Sequence, residues 1–241
     1  CNLTDRKQVD RILKQLKPAL IYHMAGSFSN DYETDFNSNV VSTKNLLDSI
    51  AEQHLSTRIL LMGSAAEYGE VEAAKNPVTE EQPLKPISIY GWTKAAQTQL
   101  ASVYFNTHSI ETVVARTFNL AGDGASEQLF IGRIKQQINA VLTGKAKRIS
   151  VGHLDAIRDY LDINQACEMY QVIATKGRAG EIYNVASGIP VTMRDMLKRM
   201  LIEAGLDYSI VDEKSYNKTS TTIETSVNYA SINKYINLAN Q

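Results

Sequence analysis

Short apolar runs alternate with amphipathic segments along the first half of the chain. Three of these runs are typical of buried strands, and they lie at residues 19–24, 58–62 and 111–117. Apolar residues recur at helical spacing in residues 4–16, 39–53 and 90–108. Thr4 is the expected N-cap of the first helix. Because strands that alternate with helices usually pair in parallel beneath two helical layers, the pattern predicts a parallel α/β sheet.

The second half of the chain shows similar elements at less regular intervals. Helices are predicted at residues 130–142, from Asp162 to Gly177, and after Thr192. Strands are predicted near Ile149 and at residues 181–186. We therefore expect a first domain of residues 1–120, partly interleaved with residues 145–190, and a smaller lobe made mostly of residues 120–241.

Charge and composition exclude several classes of function. The chain has 241 residues, with 25 Lys and Arg against 26 Asp and Glu, and a formal net charge of −1. A nearly neutral chain lacks the electrostatic field that attracts nucleic acid or an anionic membrane. No apolar run is long enough to span a membrane. Cys1, Cys167 and the four histidines show no metal-ligand spacing, which predicts no metal site and a reducing, cytoplasmic location.

The clearest candidate for chemistry is the sequence Tyr90-Gly-Trp-Thr-Lys94. Side chains four residues apart lie on one helix face, and a nearby ammonium lowers the pKa of a phenol from about 10. Tyr90 and Lys94 thus form a candidate proton donor or acceptor for interconverting a hydroxyl and a carbonyl. A solvent-exposed pair is the alternative for this spacing alone. Ser64 follows the preceding strand, at the edge where open α/β sheets bind ligands.

Ser64, Tyr90 and Lys94, in this order, resemble the active-site residues of the short-chain dehydrogenase/reductase superfamily. Further motifs resemble its extended branch of nucleotide-sugar epimerases, dehydratases and reductases. They are Tyr22-His-Met-Ala-Gly26, Asn39-Val40 with Thr43 and Leu46-Leu47, Gly63-Ser64-Ala-Ala-Glu-Tyr-Gly69, Pro86-Ile-Ser-Ile-Tyr90 and Arg116-Thr-Phe-Asn119. The resemblance implies a Rossmann-type, doubly wound parallel sheet, a smaller C-terminal substrate lobe, NAD or NADP as cofactor, and a nucleotide-sugar substrate.

The same resemblance assigns roles to individual residues. It implies that Tyr90 exchanges a proton with a sugar oxygen, that Ser64 hydrogen-bonds the same oxygen, and that Lys94 binds the nicotinamide ribose. Asn39 is expected to support the active-site helix from behind. The remaining cofactor-binding residues that it implies are Ala25, Gly26, Met62 and Thr117. Small residues at the first two positions let a cofactor approach the backbone closely.

A second cluster, residues 151–160, resembles a segment of GDP-mannose 4,6-dehydratases and the related 4-keto-hexulose reductases. The resemblance implies that Arg158 contacts the substrate diphosphate, for which an Arg fork is well suited. It assigns further substrate contacts to Arg133 and Asn119. The alternatives are a surface ion pair for Arg158, with a nearby Asp, and a turn-forming role for Asn119.

The sequence departs from the family pattern in three places. The Gly-rich phosphate loop is absent, so we expect the first βαβ unit, with the residue that selects NAD or NADP, to precede Cys1 in a longer protein. Dehydratases carry acidic residues where this chain has Ala65 and Ala66, and Glu67 is expected to point to the opposite face. Relatives often carry an Arg where this chain reads Thr221-Thr-Ile-Glu224, with Lys218 nearby.

Together these residues favour an NAD(P)-dependent oxidoreductase that reduces a 4-keto nucleotide-activated hexose, with a GDP-hexose as the expected substrate. The alternatives are a 4-epimerase, a 4,6-dehydratase and, in another class, a non-catalytic relative that senses dinucleotide. A homodimer is also expected, because residues 39–53 and 90–108 carry more apolar residues than one stripe, and relatives pair such helices. A helix buried on two sides within one subunit is the alternative to this interface.

Overall fold

The computed structural model describes residues 1–213 and 226–241. Its helices are α1 (Arg6–Leu16), α2 (Tyr32–Asp35), α3 (Ser42–Glu52), α4 (Ile89–His108), α5 (Phe130–Leu142), α6 (Ile163–Lys176), α7 (Met193–Glu203) and α8 (Asn233–Ala239). Its strands are β1 (Leu20–His23), β2 (Arg58–Ser64), β3 (Thr112–Thr117), β4 (Asn119–Ala121), β5 (Ile149–Val151), β6 (Ile157–Asp162), β7 (Ile182–Val185), β8 (Pro190–Thr192), β9 (Val211–Glu213) and β10 (Val227–Asn228). A π-helical turn, Phe36–Val41, joins α2 to α3.

Four parallel strands form the central sheet, in the order β1-β2-β3-β7. The register pairs Ser64 at the end of β2 with Thr117 at the end of β3, and Thr117 in turn with Val185. The carboxyl ends of these strands therefore lie side by side. This is the edge of an open α/β sheet at which ligands bind.

Helices cover both faces of this sheet, and the alternation of side chains along the strands separates two cores. Leu60 and Val113 pack against α6 and α8. Ile59 belongs to the cluster formed with α1 and α3, and Leu61 and Val114 pack against Ala101 of α4. The predicted doubly wound parallel sheet is thereby confirmed.

A second hydrophobic core lies outside the central sheet. It joins α5 and α7 to the parallel pair β5 and β9, with Ile134, Leu154 and Leu197 almost fully buried. A small mixed sheet, in the order β10-β6-β4 with β8 antiparallel to β6, lies between this core and the strand ends. The backbone of β4 begins at Asn119, two residues after β3, and so carries the chain from the site toward the second core.

The main elements follow the predicted pattern, with differences at their ends. Helix α1 is capped by Asp5 rather than by the predicted Thr4, because the Asp5 carboxylate accepts hydrogen bonds from the amides of Lys7 and Gln8. The strand predicted near Ile149 is β5. The short strands β4, β8, β9 and β10 show no period and were not predicted. The six-residue strand β6 was not predicted either, because charged residues interrupt its apolar pattern. Among the described helices, none is both long and apolar enough to cross a membrane.

Candidate active site

The candidate active site begins at the sharp turn that follows β2. Ser64 caps a 3-10 turn, Ala65–Glu67, in which the Ser64 hydroxyl accepts a hydrogen bond from the Ala66 amide at 3.2 Å. In turn, the Glu67 carboxylate accepts a hydrogen bond from the Ser64 amide at 2.7 Å. This reciprocal capping fixes the backbone of Ser64 at the carboxyl edge of the sheet.

Helix α4 brings Tyr90 to the same turn. Ser88 caps the helix by accepting a hydrogen bond from the Gly91 amide at 3.0 Å. A Cβ atom on Gly91 would lie 2.5 Å from the Ala66 carbonyl oxygen, so only glycine allows α4 and the turn to approach this closely. Because Tyr90 precedes Gly91, the close approach places its side chain beside Ser64.

The phenol of Tyr90 lies beside Ser64 and packs against an aromatic ring. Burial raises the pKa of Tyr90 above its usual value, and the neighbouring Ser64 side chain opposes this shift only in part. The ring of Phe28 packs edge-on against Tyr90, with 4.8 Å between the centroids. The net shift is therefore opposite to the lowering expected from the Tyr–Lys spacing, because burial is the largest influence.

Lys94 lies one turn further along α4, and its side chain is buried. Its ammonium donates hydrogen bonds to the carbonyl oxygen of Met62 and to the side-chain oxygen of Gln97. Burial lowers the pKa of Lys94 to about 8, although the negative charge of Glu67 opposes this shift. The predicted cofactor contacts Met62 and Lys94 are thus joined to each other in the structure.

Glu67 forms a fully buried ion pair with Arg116 of β3. Its carboxylate accepts from Arg116 Nε at 3.0 Å and from a terminal guanidinium nitrogen at 2.7 Å. The guanidinium also lies over the ring of Tyr68, 4.6 Å from its centroid. The expectation that Glu67 faces away from the site agrees with this geometry, although the segment is a 3-10 turn rather than extended.

A cavity of about 730 Å³ opens in front of Ser64 and Tyr90. Four of the predicted site residues line it, namely Ser64, Tyr90, Thr117 and Asn119. Ala65 and Ala66 also line it, whereas Glu67 does not. Most of the other lining side chains are apolar or aromatic, and they include Phe28, Phe118, Leu129, Phe130 and Tyr160. No sequence pattern indicated that these residues line a cavity, although Tyr160 is the last residue of the segment that resembles the dehydratases.

The predicted cofactor residues lie near the ends of β1 and β3. Ala25 and Gly26 follow β1 and are exposed to solvent. A Cβ atom on Gly26 would lie 2.8 Å from the side-chain oxygen of Asn39. Packing against Asn39 therefore favours glycine at this position, in addition to the expected approach of the cofactor. The Thr117 hydroxyl lies 3.0 Å from the phenolic oxygen of Tyr170.

Asn39 is fully buried behind α4. Its amide nitrogen donates to the backbone oxygen of Ser27 at 3.1 Å and to the hydroxyl of Thr93 at 2.9 Å. The Thr93 hydroxyl donates to the backbone oxygen of Tyr90 at 2.9 Å. The Asn39 side chain therefore connects the loop after β1 to the first turn of α4.

Two predicted substrate residues lie outside the cavity lining. Arg133 is exposed on the first turn of α5. Arg158 lies on β6, where a guanidinium nitrogen donates to the backbone oxygen of Ile157 at 2.9 Å. Asn119 lines the cavity and donates to the backbone oxygen of Asp159 at 3.0 Å.

The expectations for Thr221–Glu224 and Lys218 fall outside the described residues. In the described ranges, no group of three acidic, His or Cys side chains is arranged to hold a metal ion.

The chain is similar to a family of nucleotide-sugar enzymes. The family model of GDP-mannose 4,6 dehydratase matches residues 1–236. GDP-6-deoxy-D-mannose reductase of Pseudomonas aeruginosa is 30% identical over 203 residues, which cover 81% of this chain and 66% of the reductase. The dTDP-glucose 4,6-dehydratase of Streptomyces antibioticus is 28% identical over 179 residues, or 73% of this chain and 50% of the dehydratase. The chain thus spans about half to two thirds of these relatives.

A solved structure of similar fold is that of RMD from Pseudomonas aeruginosa, complexed with NADPH. It superposes with a TM-score of 0.90 and 25% sequence identity, and the match covers 99% of this chain and 80% of the other. The names of these relatives agree with the class of enzyme that the motifs predicted.

The buried ion pair makes a prediction about stability. Glu67→Gln leaves the Arg116 guanidinium without its counter-charge in a fully buried position, so the free energy of unfolding should fall by about 3–5 kcal/mol. The double variant Glu67→Met/Arg116→Met leaves no unpaired charge and should recover most of that loss. Urea unfolding of the full-length protein measures both.

Glu70→Gln is the matched control, because Glu70 is exposed three residues away and its change should cost less than about 0.5 kcal/mol. If Glu67→Gln unfolds at the same urea concentration as the wild type, the predicted loss of stability on breaking the Glu67–Arg116 ion pair is wrong.

Proposed function

Because this chain belongs to the GDP-mannose 4,6 dehydratase family, we propose that it binds NAD or NADP and reduces the 4-keto group of a nucleotide-activated hexose. The observation that carries the proposal is that Ser64 and Tyr90 line the same cavity at the carboxyl edge of the sheet. When a carbonyl oxygen lies between them, the Ser64 hydroxyl and the Tyr90 phenol can each donate one hydrogen bond to it.

The residues behind Tyr90 fit the ribose end of a nicotinamide cofactor. Within the described part of the chain, the Lys94 ammonium uses two of its three N–H groups on protein acceptors, which leaves one for a ribose hydroxyl. Ala25 and Gly26 present an exposed backbone without large side chains at the end of β1. When bound, the cofactor supplies the hydride that reduces the sugar carbon.

The pKa of Tyr90 suits the reducing direction. Since burial raises this pKa, the phenol stays protonated at neutral pH and is ready to give its proton to the oxygen that gains charge as hydride arrives. The Ser64 hydroxyl holds the same oxygen, and the Lys94 cation stabilises the phenolate that remains. Reprotonation of Tyr90 from solvent then restores the starting state.

The cavity suits a sugar with an apolar face. Ala65, Ala66, Leu129 and Phe130 form an apolar part of the lining that is compatible with a 6-methyl group, while Ser88, Ser126 and Gln128 supply a polar part. We propose a GDP-linked 4-keto-6-deoxyhexose as substrate, in keeping with the name of the Pseudomonas aeruginosa relative. Asn119 would bind near the sugar.

The polar end of the substrate is assigned to the second lobe. Arg133 and Arg158 would meet the diphosphate, for which guanidinium groups are suited by charge and by shape. On this proposal, residues 1–120, with part of residues 145–190, carry the cofactor, and residues 120–241 mostly hold the nucleotide sugar. The free thiols of Cys1 and Cys167 fit a reducing compartment such as the cytoplasm.

Two other activities use the same three residues or the same fold. A 4-epimerase needs Ser64, Tyr90 and Lys94 in the same places but returns the hydride to the sugar, so it turns over without added reductant. A non-catalytic dinucleotide sensor has no use for a phenol and a serine hydroxyl that line the same cavity, and that pair favours the enzyme. Oxidation of NADPH by full-length protein in the presence of GDP-4-keto-6-deoxy-D-mannose tests reduction directly.

The role of Tyr90 predicts the effect of a single substitution. Tyr90→Phe keeps the ring against Phe28 but removes the proton donor, so turnover of the 4-keto sugar should fall roughly 10²–10⁴-fold. The dissociation constant for the cofactor should change little. A Tyr90→Phe enzyme that reduces the sugar at nearly the wild-type rate would rule out the assignment.

The cavity lining predicts that the protein does not dehydrate its sugar. Elimination of water needs a base and an acid beside the hexose, and at the positions where dehydratases carry them this cavity has Ala65 and Ala66. Glu67 is held by Arg116 on the far side of the turn. Incubation of full-length protein and cofactor with GDP-mannose or dTDP-glucose should give no 4-keto-6-deoxy product by mass spectrometry.

The dTDP-glucose 4,6-dehydratase of Streptomyces antibioticus serves as the positive control for this assay. A product lighter by one water from our protein would show that another residue supplies the elimination.

The surface of α4 supports a homodimer. Of the apolar run on this helix, Val103 is 52% exposed, whereas Tyr104 packs against α3 and Phe105 lies against Gly180. Trp92, 44% exposed on the same helix, stacks on Phe36 with 6.1 Å between ring centroids. We propose that these exposed side chains pair with their copies in a second subunit.

Light scattering of the full-length protein at micromolar concentration should therefore report a dimer. Val103→Glu combined with Trp92→Glu should give a monomer, because like charges would face each other across the two-fold axis. Ile202→Glu, which changes an exposed residue on α7, should leave the dimer intact. A wild-type monomer under these conditions would refute the interface.

A further inference from the structure

A chain of buried hydrogen bonds runs behind the active-site helix, from Lys94 to the first strand of the sheet. The Lys94 ammonium donates to Gln97 Oε1, and Gln97 Nε2 donates to the Thr43 hydroxyl at 2.7 Å. The same hydroxyl lies 2.9 Å from His23 Nε2. All four side chains are at least nine-tenths buried. The chain joins α4, α3 and β1 through polar groups alone.

The donors and acceptors in this chain have only one consistent direction. An ammonium can only donate, so the Gln97 oxygen faces Lys94 and the Gln97 amino group faces Thr43. The Thr43 hydroxyl gives its single hydrogen to the backbone oxygen of Asn39 at 2.7 Å. It must therefore accept from His23, which places the imidazole proton on Nε2.

We propose that Gln97 is the positioning residue for Lys94, and that Thr43 and His23 hold the Gln97 amide in the orientation that faces the ammonium. This inference rests on the proposed function of Lys94 in the reductase. Gln97 lies three residues after Lys94, on the same face of α4, and both ends of its amide are used. Without it, the flexible lysine keeps the Met62 carbonyl as its one protein acceptor among the described residues.

The charges around Lys94 come from several elements. Tyr90 lies one turn earlier on α4, Glu67 and its partner Arg116 lie beneath it on the turn and on β3, and His23 faces it from β1. Burial, with a contribution from the positive charge of Lys94, lowers the pKa of His23 to about 4, so the imidazole is neutral at neutral pH. On the side of Gln97, Lys94 therefore faces neutral hydrogen-bonding side chains. On the other side the nearby charge is the Glu67 carboxylate, which is already paired with Arg116.

Two substitutions at one position test this role in the full-length enzyme. Gln97→Met keeps the length and volume of the side chain but removes both hydrogen bonds, and kcat/KM for the 4-keto sugar should fall by up to roughly 10²-fold. The protonated form of Lys94 then loses an acceptor, so the alkaline limb of the kcat profile, which we expect near pH 8 in the wild type, should move to lower pH. Gln97→Glu places a carboxylate beside the ammonium, and the same limb should move to higher pH by roughly one unit or more.

Thr98→Val is the matched control. Thr98 is the next residue on α4 and is equally buried, but in the described structure its hydroxyl has no hydrogen-bond partner. This variant should keep the wild-type kcat and pH profile. Replacing a residue that only stabilises the fold would leave the alkaline limb of the kcat profile in place. Profiles of Gln97→Met and Gln97→Glu that both coincide with the wild type would therefore overturn the proposal.

A second measurement does not depend on turnover. Long-range ¹H–¹⁵N spectra of the full-length protein should show His23 as the neutral tautomer protonated on Nε2, and this signal should not titrate between pH 8 and about pH 5. Thr43→Val should change the ¹⁵N shifts of His23, whereas Thr98→Val should not. An Nδ1-protonated or charged His23 at pH 7 would overturn the network even in an active reductase. The predicted spectrum in a protein that reduces no nucleotide sugar would instead overturn the proposed function and leave the network in place.

Discussion

The buried ion pair between Glu67 and Arg116 is the interaction on which the geometry of the site depends. It joins the turn after β2 to β3, and the second oxygen of Glu67 holds the amide of Ser64. Two fully buried charges are tolerated because they neutralise each other and because the remaining oxygen and guanidinium face have partners of their own. With the turn fixed in this way, Gly91 can bring α4 close enough for Tyr90 to reach Ser64.

The pair also divides the site into an apolar front and a polar back. In front, most of the cavity lining is apolar or aromatic, and its hydrogen-bonding groups include Ser64, Tyr90, Thr117 and Asn119. Behind α4, Thr43 hydrogen-bonds both Gln97 and His23, and Asn39 donates to Thr93, in a layer of buried side chains. A polar layer of this kind is rigid only if each donor finds an acceptor, and here nearly every group does. The chemistry is thus confined to a few groups at the boundary.

That boundary sets the protonation states that the proposed reaction needs. Burial raises the pKa of Tyr90 and lowers the pKa of Lys94 to about 8, because desolvation disfavours the charged form of each group. At neutral pH the phenol keeps its proton while the ammonium keeps its charge. A proton donor beside a retained cation is the arrangement suited to delivering a proton to a reduced carbonyl oxygen.

The sequence by itself determined the order of strands and helices along the first half, the roles expected of Ser64, Tyr90 and Lys94, and the alanines that replace acidic residues in the cavity. These features are local, since periodicity, a strand end and a four-residue helical spacing can each be read from neighbouring residues. Of the later strands, β5 and β7 were predicted. β4, β8, β9 and β10 were missed because two or three residues show no period, and β6 was missed because Arg158, Asp159 and Asp162 interrupt its apolar pattern. Tertiary structure alone decided the net pKa shift of Tyr90, the partner of Glu67, the aromatic lining of the cavity and the link from Gln97 to His23. Each of these depends on burial or on contacts between residues far apart in the chain, and no local pattern encodes which distant groups will meet.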